Sequence, residues 1–215
     1  MPFNAISPSK TGLVFFDVLN YGWKGLPAKE QQRADVVLRN CVLLRDAARS
    51  LQMPLFFPKA DHRPDGRDVG ARYTDVGHDL QPWPDPETRI RPHRKNTSGS
   101  WGAEIVEELA PSEDDYVIPK HRWSAFYQTK LELSMRARGL TGIVLCGGAT
   151  EIGVASTAYA ARDMDWDLVV VRDACTSPRT DVHEILMSKV FPRIGRVRST
   201  LDALEMLRRG AALDE

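Results

Sequence analysis

The sequence predicts an α/β fold: a mostly parallel, Rossmann-like sheet of about six strands with helices on both faces, a three-layer α/β/α sandwich. Three observations predict it. Short apolar runs bounded by turn residues recur along the chain, the pattern of strands buried on both faces. Between them lie segments whose apolar residues step by three and four, the period of an amphipathic helix. The two kinds alternate, and alternating strands and helices build a parallel sheet through right-handed crossovers.

Gly12-Leu13-Val14-Phe15-Phe16 is the first run, and it ends in an acid, Asp17. From Lys29 to Leu51 a helical stripe falls at Val37, Cys41, Leu44, Ala48 and Leu51. Pro54-Leu55-Phe56-Phe57 reads as the second strand. Trp101, Ile105, Val106 and Leu109 spell a further helix, with Ser100 as its N-cap and Pro111 as its stop. Tyr116-Val117-Ile118-Pro119 is the third strand, and Phe126, Leu131, Leu133 and Met135 lie in a helix closed by Gly139 at C′. Gly142 to Gly147 is the fourth strand, and the small residues of Ala149 to Arg162 suit a helix packed close on a sheet. Leu168 to Val171 is the fifth strand, Ile194 to Val197 a weaker sixth, and Leu201, Leu204 and Leu207 mark a last helix. One stretch breaks the alternation: Asp61 to Ser98, with five prolines and no period, reads as a lid, an interface arm or a binding loop. It does not read as a linker, so residues 1–215 are expected to form a single domain.

Composition limits the function. The chain has 215 residues with 29 Lys and Arg against 29 Asp and Glu, so it lacks the basic surplus that phosphate contacts demand. A nucleic-acid partner is not expected. Its three cysteines, Cys41, Cys146 and Cys175, are too few and too scattered for a disulfide scaffold and read as free thiols. The first residues carry no basic-then-apolar signal pattern, and no apolar run approaches the roughly 20 residues that span a bilayer. The expectation is a cytoplasmic protein without a membrane partner.

In parallel sheets ligands sit at the carboxyl ends of the strands, which directs attention to Asp17, Lys120 and the segment after Cys146. Asp17 reads either as a general acid or base or as a turn residue before Tyr21-Gly22. Lys120 reads as a surface lysine unless it pairs with a strand-end carboxylate, where it would orient a substrate carbonyl or carboxylate. Cys146-Gly147-Gly148-Ala149-Thr150-Glu151-Ile152-Gly153 runs from a strand through a glycine-rich turn into a helix, aiming backbone N–H groups at an anionic ligand. The spacing is not the dinucleotide fingerprint.

These segments together resemble the isochorismatase-like hydrolase superfamily. The resemblance rests on Phe16-Asp17-Val18-Leu19-Asn20, His62-Arg63-Pro64-Asp65-Gly66, Lys120-His121-Arg122-Trp123-Ser124-Ala125-Phe126, Gly147-Gly148-Ala149-Thr150-Glu151 and Arg172-Asp173-Ala174, in that order. It implies that Asp17 and Lys120 match the first two members of an Asp-Lys-Cys triad. It further implies that the Gly148–Ala149 bond matches a cis peptide, and that the N–H groups of Ala149 and Gly153 match an oxyanion hole. Gly148, Ala149, Thr150, Arg122 and Trp123 would contact substrate. At the position of the amidases' nucleophilic cysteine this chain has Gly153, as the isochorismatases proper have glycine. Leu19 stands where glutamine is usual, and Gly148 to Glu151 reads like the amidase branch. The implied function is hydrolysis of a small carboxylated or carbonyl metabolite by non-covalent acid/base chemistry, with isochorismate a candidate. The alternatives are a catalytically decayed member acting as a binding protein, and an amidase-type hydrolase using another nucleophile. The resemblance implies no cofactor, a small-molecule substrate and assembly as a homodimer or homotetramer.

Nicotinamidases of this superfamily bind a divalent metal through Asp-x-His and a second His. Here Asp61 and His62 are adjacent, so His62, His78 and His93 read as solvated loop residues and no metal is expected. Arg89, Arg91, Arg94 and Lys95 form a basic cluster that would clamp a carboxylate, line a solvated face or make an oligomer contact. Trp83, Trp101 and Trp123 would wall a pocket or pack in the core.

Overall fold

A computed structural model describes residues 4–68 and 96–214. Six parallel strands form one sheet: β1 (Thr11–Phe16), β2 (Leu55–Ala60), β3 (Tyr116–Lys120), β4 (Gly142–Gly148), β5 (Asp167–Thr176) and β6 (Arg196–Arg198). Their order is β3-β2-β1-β4-β5-β6. The chain winds outward from β1 in one direction and from β4 in the other. The order therefore reverses between β1 and β4, and the crevice beyond their carboxyl ends is where such folds bind ligands.

The helices are α1 (Asn20–Trp23), α2 (Ala28–Ser50), α3 (Leu131–Ala137), α4 (Ala155–Asp163), α5 (Thr180–Ile185) and α6 (Thr200–Asp214). Strand register assigns two of the layers. Phe15 pairs with Cys146 and Phe16 with Gly147, so each pair shares a face. Phe16 meets Gly153, just before α4, and a Cβ on Gly12, two steps of the pleat away, would touch Met135 of α3. Cys146 instead lies beside Cys41 of α2, so α2 covers the other face, and α6 packs against α2. With helices on both sides, β1 is buried at every residue, which is why it reads as a continuous apolar run. The stripe of α2 that packs down is Ala34, Leu38, Cys41, Leu44 and Ala48. Each fully buried leucine there contributes about 1.5–3 kcal/mol.

The predicted strands are all present; β2 continues through Pro58 to Ala60, and β5 through Cys175 to Thr176. Three helical expectations are corrected. Trp101 to Leu109 is not an α-helix but two 3-10 turns, Trp101–Ala103 and Glu107–Leu109. Its backbone is claimed by the segment after β1: Asn20 Nδ2 and N–H donate to the carbonyls of Trp101 and Glu104, and the Val106 N–H donates to Val18. Trp101 is consequently exposed rather than packed in a core. Helix α3 begins only at Leu131, so Phe126 precedes it, stacked on Trp166, and Leu133 faces solvent. Gly139 does take the left-handed C′ conformation, with φ of 69°. Finally, the helix after β4 opens with a π-turn, Thr150–Val154, before α4.

Candidate active site

Asp17 follows β1 with φ of 44°, a left-handed conformation that aspartate tolerates better than most residues. Its backbone is held on both sides. The N–H donates to the Pro58 carbonyl at 3.0 Å, and the carbonyl accepts from Trp23 Nε1 at 3.0 Å. Its carboxylate is held as firmly: Oδ1 accepts the Ala60 N–H at 2.7 Å and Oδ2 accepts Lys120 Nζ at 2.7 Å. Lys120 is 4% exposed, and its ammonium stands 4.3 Å from the centroid of the Phe16 ring. Carboxylate and aromatic face together replace the water such a cation loses on burial. The strand-end pairing that gives Lys120 a role beyond a surface lysine is therefore present.

The turn after β4 approaches from the next strand. The Gly148–Ala149 peptide bond is cis. Gly147 has φ of 119°, and a Cβ there would lie 2.1 Å from the Phe16 carbonyl, so the position admits only glycine. A shift in the β4–β5 register between Leu145 and Gly147 re-aims the strand end at this point. The Ala149 carbonyl accepts from the N–H groups of Ile152 and Val154 and passes over that of Gly153. Gly153 abuts Phe16: a Cβ at 153 would lie 1.9 Å from Phe16 Cε1 and 2.1 Å from Cζ. Phe16 is buried and has Lys120 over its ring, so a side chain at 153 would have to displace a buried ring that also carries that contact.

A cavity of about 270 Å³ opens on the α2 side of Asp17. Asp17, Gly148 and Ala149 form one wall, Trp23, Leu26 and Ala34 an apolar one, and Tyr21, Glu30 and Arg33 stand among its polar lining. Tyr21 is exposed overall, yet burial of its hydroxyl, reinforced by the Asp17 charge, pushes the phenol up to about 12. It stays a neutral hydrogen-bond donor at ordinary pH.

The other expected residues divide. Lys120 and Gly153 lie on the α3–α4 side of Asp17 and do not line this cavity. Neither do Arg122 and Trp123: Arg122 donates to the carbonyls of Asp68 and His121, and Trp123 is exposed. Thr150 is fully buried, its hydroxyl engaged by Thr176 and His183. His62 is not a solvated residue but is buried, 3.5 Å from an Asp68 oxygen whose partner oxygen is 3.3 Å from His121. Desolvation lowers the His62 pKa, with the Asp68 charge opposing it. Among the described residues no group of three or more His, Cys, Asp or Glu is placed to hold a metal, and no helix is long and apolar enough to cross a membrane. His78, His93, Trp83, Arg89, Arg91, Arg94 and Lys95 lie outside the described residues.

Cys41, Cys146 and Cys175 are free and buried in the α2-side core. Burial pushes the thiols of Cys146 and Cys175 well above the ordinary range, the opposite of an activated nucleophile. The residues that sequence reasoning missed, besides Tyr21 and Arg33 of the cavity, are Phe16, Trp23 and His183. Phe16 was visible only as one more apolar strand residue, and the partners of the other two are set by tertiary contacts.

Residues 11–202 match the isochorismatase domain. An uncharacterized isochorismatase family protein of Bacillus subtilis is 41% identical over 106 residues, which are 49% of this chain and 56% of that protein. A ureidoacrylate amidohydrolase of Stutzerimonas stutzeri is 30% identical over 183 residues, 79% of this chain and 71% of that protein. Among solved structures, an isochorismatase family protein of Burkholderia thailandensis matches with a TM-score of 0.75 and 30% identity, covering 95% of this chain and 98% of that one. The chain spans little more than half the length of two of its curated relatives, 56% and 53%. With the domain match running from β1 into α6 and a solved family member matching over 95% of this chain, the chain belongs to the isochorismatase family.

Proposed function

We propose that the protein hydrolyses a small carboxylated or carbonyl metabolite without a covalent enzyme intermediate, and that Gly153 stands where amidases of the family carry their nucleophilic cysteine. The observation that carries this reading is the Phe16 ring, which fills the space a side chain at 153 would need beside the Asp17–Lys120 pair. None of the three cysteines supplies a replacement, since all are buried in the core.

On this reading Asp17 transfers the proton, and Lys120, which does not line the cavity, orients the Asp17 carboxyl. For a carbonyl substrate, Ala149, which lines the cavity, would supply an N–H to the negative charge developing on oxygen, and the Gly153 N–H is the second donor that the resemblance implies. Arg33 would bind a carboxylate in the cavity, and the neutral Tyr21 hydroxyl would donate to a carbonyl. For a vinyl ether such as isochorismate, Asp17 in its protonated form gives its proton to the vinyl carbon, leaving an oxocarbenium ion and the carboxylate that pairs with Lys120. Water then adds to that ion and returns its proton to the carboxylate. The resulting hemiketal breaks its C–O bond to give an alcohol and pyruvate. The protein would need no cofactor for this and would work in the cytoplasm as a homodimer or homotetramer.

The test is pyruvate release from isochorismate, run beside a panel of amides and vinyl ethers, for the native protein and Asp17→Asn. Release by the native protein and a loss of about 100-fold or more in Asp17→Asn are expected. Equal rates in the two would remove Asp17 from the reaction. Inactivity of the native protein on the whole panel, with amidase activity gained by Phe16→Val/Gly153→Cys, would favour a decayed enzyme that now binds a metabolite.

A further inference from the structure

Thr150 follows the cis-linked Ala149, and its side chain is fully buried. Its hydroxyl has one proton to give. Thr150 Oγ1 donates that proton to the Thr176 carbonyl at the end of β5, 3.0 Å away. The same oxygen lies 2.9 Å from His183 Nδ1 on α5. With the hydroxyl proton committed, a hydrogen bond there needs the proton to come from the imidazole. Neutral imidazole in water prefers the other tautomer, with the proton on Nε2, so the site selects against the default.

We propose that His183 is a positioning residue for the turn 149–153, held as the Nδ1–H tautomer and donating to Thr150. The catalytic meaning of this rests on the reading of that turn as the oxyanion-binding element; the hydrogen bond itself does not. The turn has a second tie to the same unit, since Gly148 pairs with Thr176 across β4 and β5. Thr176 Cγ2 also sits 3.0 Å from where a Gly148 Cβ would be. Through Thr150, α5 and the end of β5 fix the direction in which the Ala149 to Gly153 amides point. His183 itself is half-buried, with Glu184, Arg172 and Glu151 as the charges that act on it. It touches no part of the cavity beside Asp17, so it acts through Thr150 rather than on a ligand.

The experiment uses the full chain, labelled with ¹⁵N, and needs no substrate. Two-bond ¹⁵N–¹H correlation of the histidine rings at a pH where His183 is neutral should show Nδ1 protonated and Nε2 bearing the lone pair. Thr150→Ser should keep that signature, and Thr150→Val should shift His183 toward Nε2–H. Amide hydrogen exchange of residues 150–153 should quicken about tenfold in His183→Ala, as expected for the loss of one buried hydrogen bond. It should return to within about threefold of native in His183→Asn, whose amide N–H replaces Nδ1–H, while the β1 amides stay unchanged in both. An Nε2–H tautomer in the native protein overturns the proposal. So does native-like exchange in His183→Ala, or exchange in His183→Asn as fast as in the alanine variant. Because these readouts are independent of turnover, they stand or fall separately from the proposed reaction, which Asp17→Asn tests.

Discussion

The Phe16 ring and the bare backbone of Gly153 are complementary: a Cβ at 153 would lie 1.9 Å from Phe16 Cε1, well inside contact distance. A cysteine at 153 therefore has to displace a buried aromatic ring that also faces Lys120. Gly153→Cys should cost about 1–3 kcal/mol by overpacking, and Phe16→Val should cost a similar amount by leaving a cavity. The double variant should cost less than the sum, with a coupling of about 0.5–3 kcal/mol in a urea-denaturation cycle. Strict additivity would show that the two positions do not compete for one space.

Asp17 and Lys120 should behave as a buried pair rather than a surface one. Lys120→Met leaves the Asp17 carboxylate without its cation and should destabilise the protein by roughly 3–5 kcal/mol. Adding Asp17→Asn to it should recover a large part of that loss, because the uncompensated charge is gone. A loss below about 1 kcal/mol in Lys120→Met, the range of exposed pairs, would contradict the arrangement.

The three thiols should be silent in the folded protein. Each lies in the core, and burial raises those of Cys146 and Cys175. Iodoacetamide should label none of them under native conditions within the time that labels all three in denaturant, and activity should survive the treatment. Rapid native labelling of Cys175, followed by mass spectrometry, would reopen thiol chemistry.

Stability should fall with acidification below about pH 6.5, the ordinary histidine value from which desolvation lowers His183 and His62. The sign follows from proton uptake: below that pH the unfolded chain binds protons that the folded state resists, so unfolding gains. For His183 the Arg172 charge works in the same direction, and Glu184 and Glu151 oppose it. Thermal melts from pH 7.5 to 5 should show a shallower decline in His183→Asn, which no longer titrates. Identical pH profiles would show that His183 is not held neutral.

Much of the fold was legible because its strands are buried on both faces. Leu13 to Phe16 and Ile143 to Cys146 read as continuous apolar runs since helices cover both sides of the sheet. The segment Trp101 to Leu109 misled for a related reason. Its apolar spacing satisfies a helix, but hydrogen bonds to Asn20 and Val18, about 80 residues away in the chain, take the backbone groups a helix would use. Sequence periodicity reports which residues prefer burial, and it does not report which distant partners claim the backbone.

The sequence by itself determined the alternating architecture, the strand-end positions of Asp17 and Lys120, and the absence of a side chain at position 153. All three follow from local pattern or residue identity. Only the tertiary structure decided that Asp17 and Lys120 meet at 2.7 Å, that Phe16 fills the space at Gly153, and that His183 reaches Thr150. Each joins residues from different strands and helices. Their distance is set by sheet register and by which layer each side chain enters, quantities that no local run of residues encodes.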